Sequence, residues 1–205
     1  MNNPYAAAMS GEGSARNIDT LLSSERAHSE SGGSLGRFET EKSAPLLIDW
    51  MRELGLRPAC AESLTGGMIA STLVGVPGAS DVLNGGVVTY ADAMKTKVLG
   101  VDADLLDEKT AYSPECAMSM AAGALQLFDA DVAVSSTGVA GPESDLGVPA
   151  GTGFLGCATP YTMQVWPITV PGERTRQEIR EAFTRGAIAL VLRTLIHDRD
   201  KGHYE

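Results

Sequence analysis

A serine and a threonine stand on a glycine turn in Ala61-Glu62-Ser63-Leu64-Thr65-Gly66-Gly67. A short apolar run, residues 56–60, leads into the turn, and a helical pattern starting near Met68 leads out. In an α/β sheet this is the carboxyl end of a strand, where ligands usually bind. Amides at the start of the following helix favour an anion, or the oxyanion of an acyl transfer. Ser63 therefore has two readings, a nucleophile and a helix N-cap. A nucleophilic serine needs a base, yet His28, His197 and His203 all lie toward the ends of the chain. A second glycine loop, Thr137-Gly138-Val139-Ala140-Gly141-Pro142, reads either as a plain tight turn or as part of the same site.

The rest of the chain must hold these loops. It has 205 residues, 43% of them hydrophobic, enough for one domain with a core plus a tail. Its formal charge of −10 opposes a general nucleic-acid binder, although an acidic protein can still bind one phosphate locally, through backbone amides and a single Arg. Apolar runs are far below the ~20 residues of a membrane span. The N-terminus lacks the basic and apolar regions of a secretory signal. Cys60, Cys116 and Cys157 are odd in number, widely spaced and without a CxxC pair, which argues against a disulfide framework or a zinc site. The expectation is a cytoplasmic protein with reduced thiols, no metal, no cofactor, and neither nucleic acid nor membrane as partner.

Residues 1–36 are rich in Ser, Gly, Ala and Glu and read as a mobile extension with room for a short helix at 18–26. The folded domain, residues 37–205, starts near Phe38. Ser43 is expected to cap a first helix with Pro45 in its first turn, Leu47, Met51 and Leu54 on one face, and Gly55 at its end. Strands follow over 56–62, 86–90 and 131–135, and an antiparallel pair over 153–158 and 164–170. Helices are expected over 68–74, at 92–99, from the Ser113-Pro114-Glu115 start to Phe128, and from Thr175 to about His197. Asp102, Asp104, Asp107 and Glu108 read as a solvated acidic turn. The sum is an α/β fold, a three-layer α/β/α domain with a mixed, mostly parallel sheet.

These segments resemble the CinA C-terminal domain family of nicotinamide-nucleotide amidases. Ala61-Glu62-Ser63-x-Thr65-Gly66-Gly67 is similar to its first signature, and Gly85-Gly86-Val87-Val88-x-Tyr90 followed by Lys95 to its second. Val76-Pro77-Gly78-Ala79-Ser80 lies between them as expected. Thr137 to Pro142 is similar to the third signature, Pro149-x-Gly151-Thr152 follows it, and Arg176-x-x-Ile179-Arg180 opens the last helix. The likeness runs from about Phe38 to Ile196. Longer members carry a preceding nucleotide-hydrolase domain that the extension is too short to be. The chain departs from the family pattern at Asp92-Ala93, where Asn and Glu are usual, at Glu143-Ser144 in place of a glycine pair, and at Val148 in place of a lysine.

The resemblance implies catalysis by Ser63, Tyr90 and Lys95, with either Lys95 or Tyr90 taking the proton. It implies substrate contacts from Thr65, Gly66, Gly67, Thr137, Gly138, Ala140, Gly141 and Arg176. The implied reaction is metal-independent hydrolysis of nicotinamide mononucleotide to nicotinate mononucleotide and ammonia, by a homodimer or higher homo-oligomer acting on a small pyridine nucleotide. Two alternatives stand beside it: a nucleotide-binding or interaction protein that kept the fold and lost efficient catalysis, and an amidase for another pyridine or amide.

Overall fold

The computed structural model describes residues 40–204; the expected extension, its short helix and the start at Phe38 lie outside them. A five-stranded sheet has the order β2-β1-β3-β4-β5, from β1 (Pro58–Glu62), β2 (Gly85–Val88), β3 (Val132–Gly138), β4 (Thr152–Ala158) and β5 (Met163–Thr169). β1 pairs in parallel with β2 and β3, while β4 runs antiparallel to β3 and to β5. The sheet is therefore mixed, parallel in one half and antiparallel in the other.

Helices α1 (Thr40–Leu54), α2 (Met68–Val74) and α6 (Arg176–Asp200) cover one face; α3 (Asp92–Leu99), α4 (Ala103–Lys109) and α5 (Pro114–Leu127) cover the other. The period of two in the strands decides which residue meets which layer. Cys60, Val132 and Val134 join the α1/α6 core, and Ala59, Ala61 and Ala133 join the α5 core. The alanine side lets α5 come close. A Cβ on Gly156 would sit 2.4 Å from the Ala117 carbonyl oxygen, and one on Gly123 of α5 would sit 2.1 Å from that of Leu99.

Three expectations are corrected. α1 starts at Thr40, so Ser43 is a buried residue inside it, and Pro45 forfeits a helical hydrogen bond without ending the helix. The acidic stretch is a helix, with Asp102 accepting the Asp104 amide at 3.0 Å as its N-cap. β3 runs on to Gly138 rather than ending at 135, because Ser136, Thr137 and Gly138 pair with Leu155, Phe154 and Gly153. The Ser113-Pro114 helix start holds, with Ser113 Oγ accepting the Cys116 amide. β5 is an edge strand carrying Pro167, a residue with no donor to offer a further neighbour. No helix among the described residues is long and apolar enough to cross a membrane.

Candidate active site

The carboxyl end of β1 carries Glu62, which is wholly buried yet solvated by the fold. Its carboxylate accepts the amides of Gly67 at 2.9 Å, Ile69 at 3.0 Å and Ala70 at 2.8 Å. It thus occupies the N-terminus of α2, whose own N-cap Gly67 lies in the left-handed region with no side-chain cap. Beside it, burial and then the Glu62 charge push the Cys60 thiol pKa well above its ordinary value. The helix amides that the sequence offered to an exogenous anion are consequently taken, and the Gly66 amide is bonded to Ser63 O at 3.1 Å.

Ser63 follows, 7% exposed, with its amide bonded to Ser136 O at 3.0 Å. It does not cap α2, and its hydroxyl has no hydrogen-bond partner among the described residues. It faces a cavity of about 300 Å³ at the carboxyl ends of β1, β2 and β3. The same cavity is lined by Tyr90, Lys95, Gly138, Ala140, Gly141 and Arg176.

Lys95 comes up from α3 and is 1% exposed. Its Nζ donates to Asp92 Oδ1 at 2.9 Å and to Tyr90 O at 3.2 Å, with no hydrogen bond to Ser63. Tyr90 is 60% exposed, and its hydroxyl accepts from Arg176 Nη2 at 2.8 Å. The other arm of Arg176 donates to Gly141 O at 2.6 Å. Arg176 is placed by a capping box at the start of α6: Thr175 Oγ1 accepts the Glu178 amide, and Glu178 Oε2 accepts the Thr175 amide. Those bonds from Thr175 hold the Glu178 carboxyl below its ordinary value.

The other expected contacts lie behind this wall. Thr65 is fully buried, sharing a 2.6 Å hydrogen bond with Ser136 Oγ, and its carbonyl accepts two bonds from Arg180. Thr137 Oγ1 donates to Ala111 O at 2.5 Å. Gly66 and Gly67 form the turn itself, both at positive φ. The amides of Leu64, Ala140, Gly141, Glu143 and Ser144 have no partner among the described residues and are among the donors left for an oxyanion or a phosphate.

Sequence reading missed Leu64, Ala111, Tyr112 and Asp145 as lining residues. Tyr112 donates its hydroxyl to Asp145 Oδ2, and burial followed by that bond raises its pKa. No local pattern marks either residue, because their meeting depends on how β3 and α5 cross. The Thr175-x-x-Glu178 spacing was a legible signal for the position of Arg176. Among the described residues no group of three or more His, Cys, Asp or Glu is arranged to hold a metal ion.

The model of the CinA C-terminal domain matches residues 40–195. A CinA-like protein of Desulfotalea psychrophila is 34% identical over 197 residues, 96% of this chain and 45% of that protein. A Geobacillus protein whose name refers to competence and damage induction is 42% identical over 136 residues, 66% of this chain and 33% of its own length. The chain thus spans a third to under a half of the length of these relatives. The crystal structure of the competence/damage inducible protein CihA from Agrobacterium tumefaciens superposes with a TM-score of 0.73 at 34% identity, covering 78% of this chain and 98% of that one.

Proposed function

The chain belongs to the CinA C-terminal domain family, and from that premise we propose that it is a metal-independent serine amidohydrolase. Its substrate is nicotinamide mononucleotide and its products are nicotinate mononucleotide and ammonia. The observation that carries this reading is the Ser63 hydroxyl, held on a buried turn, without a hydrogen-bond partner among the described residues, and facing a cavity shared with Lys95, Tyr90 and Arg176.

In this mechanism Ser63 Oγ attacks the carboxamide carbon, whose electrophilicity the cationic ring raises, and its proton passes to the Lys95–Tyr90 pair. The oxyanion is received by the unengaged amides of Leu64 or of the Ala140–Gly141 segment. The C–N bond breaks, the nitrogen takes a proton and ammonia leaves an ester on Ser63. Water attacks the ester, releasing the carboxylate and restoring the hydroxyl. Arg176 supplies the cation for one phosphate, and its bond to Tyr90 ties that subsite to the reacting end.

A second reading, binding of the nucleotide without turnover, is favoured by one observation: Lys95 Nζ is engaged by Asp92 and Tyr90 O rather than by Ser63. Incubation of chelator-dialysed protein with nicotinamide mononucleotide separates the two. Ammonia and nicotinate mononucleotide in equal amounts support the amidase. Saturable binding with no ammonia overturns it in favour of the second reading.

A further inference from the structure

The lining of the cavity includes two cations and three carboxylates, and most are matched within the fold. Lys95 is paired with Asp92, and Asp145 accepts the Tyr112 hydroxyl. Arg176 remains, bonded among the described residues only to the uncharged oxygens of Gly141 and Tyr90. Glu143 also remains, exposed on the rim two residues beyond Gly141, with no hydrogen bond or ion pair among the described residues. Arg176 and Glu143 thus border the same cavity, and neither charge is neutralised by a partner among the described residues.

Resting on the amidase reading above, we propose that the chain also hydrolyses the unphosphorylated cationic nucleoside, nicotinamide riboside, and that Glu143 sets its preference between nucleoside and mononucleotide. Both substrates bring the same ring cation, which Glu143 attracts. Only the mononucleotide brings a phosphate, which Glu143 repels and Arg176 attracts. The two side chains pull the selectivity in opposite directions, and the nucleoside needs nothing from Arg176. The chemistry is unchanged: the carboxamide and one water give the carboxylate and ammonium, with no further reactant. On an exposed rim the effect is modest, about tenfold in the ratio of the two substrates, or about 1.4 kcal/mol.

The test measures kcat/KM for both substrates with the wild type, Glu143→Gln and Glu143→Asp. Glu143→Gln is expected to raise the mononucleotide-to-riboside ratio about tenfold, with the gain shrinking as salt is added, while Glu143→Asp leaves the ratio near the wild-type value. Calorimetric binding of both ligands to Ser63→Ala and to Ser63→Ala/Glu143→Gln reads the same ratio without turnover. Riboside that is neither bound nor hydrolysed, or a ratio that Glu143→Gln moves less than twofold, overturns the proposal. A shifted binding ratio with no ammonia from either ligand overturns the amidase reading and riboside hydrolysis with it, and supports Glu143 as the selector.

Discussion

Lys95 Nζ lies 2.9 Å from Asp92 Oδ1, joining an amine that is 1% exposed to a carboxylate that is 57% exposed. Lysine is almost never fully buried without a partner, and this one is buried at the floor of the cavity. Lys97, two positions on, is exposed. Lys95→Ala is therefore expected to lower kcat by roughly a thousandfold, and Lys97→Ala to stay within about twofold of wild type. Steady-state ammonia release measures both. Equal effects at the two positions would remove Lys95 from the mechanism.

Ser63→Ala separates chemistry from stability. Because the Ser63 hydroxyl caps nothing and bonds nothing among the described residues, its loss should cost no more than about 0.5 kcal/mol, the scale of a mutation away from any structural feature. Activity should fall by roughly a thousandfold or more. A variant that melts earlier yet turns over normally would make Ser63 a structural residue.

Glu62 should behave in the opposite way. Glu62→Ala strands three amides at the start of α2, each worth about 1–3 kcal/mol when buried and unmet. A loss of about 3 kcal/mol or more is expected, or roughly 6–12 °C in Tm for a domain of this size. Thermal unfolding followed by circular dichroism checks it. A Tm within two degrees of wild type would show that water replaces the carboxylate at little cost.

Gly123→Ala tests how closely α5 approaches the site-bearing half. Alanine in a helix is ordinarily better than glycine by about 1 kcal/mol. Here its Cβ would stand 2.1 Å from the Leu99 carbonyl oxygen at the end of α3, which backbone cannot yield without moving that helix. Net destabilisation of about 1–3 kcal/mol is expected from denaturant titration. A stabilised variant would mean that α3 and α5 separate freely.

Alkaline pH should unfold the protein through its thiols. Burial pushes the Cys116 thiol from an ordinary 9.0 to about 11 and that of Cys157 to about 12. A group whose folded value is raised contributes its stability fully below the unfolded value and loses it as pH climbs through the folded one. Tm should accordingly be level up to about pH 8.5 and decline from about 9 upward. The folded thiols should also resist a disulfide reagent at pH 8. A Tm that holds level to pH 11 would contradict this.

Much of the scaffold is legible because it follows local rules. The Ser113-Pro114 cap, the Gly75 and Gly100 ends of α2 and α3, and the apolar strands all announce themselves within a few residues. The strand-turn-helix around Ser63 is equally visible. What stays hidden depends on pairing at a distance. The polar end of β3 looks like loop until Gly153, Phe154 and Leu155 are seen opposite it, after which the Ser136 hydroxyl is bonded to that of Thr65 and the Thr137 hydroxyl to the carbonyl of Ala111. Glu62 reads as an ordinary strand residue, yet it takes the helix amides assigned from sequence to a ligand. The meeting of Tyr112 with Asp145, and of Arg176 with Tyr90 86 residues earlier in the chain, is likewise written in no local pattern.

The proline in β5 bears on how this protein behaves when crowded. A sheet with an open margin is a template on which another chain can lay its own strand, and the growth of such contacts is how native molecules begin to polymerise. At Pro167 a visiting strand meets a ring where it needs a donor. The opposite margin, β2, is only four residues long and carries two glycines, too little track for a stable addition. Replacing Pro167 by valine would remove that block from the longer of the two margins formed by the described residues, and light scattering of the variant against the wild type at rising concentration reads whether the ring limits edge-to-edge association.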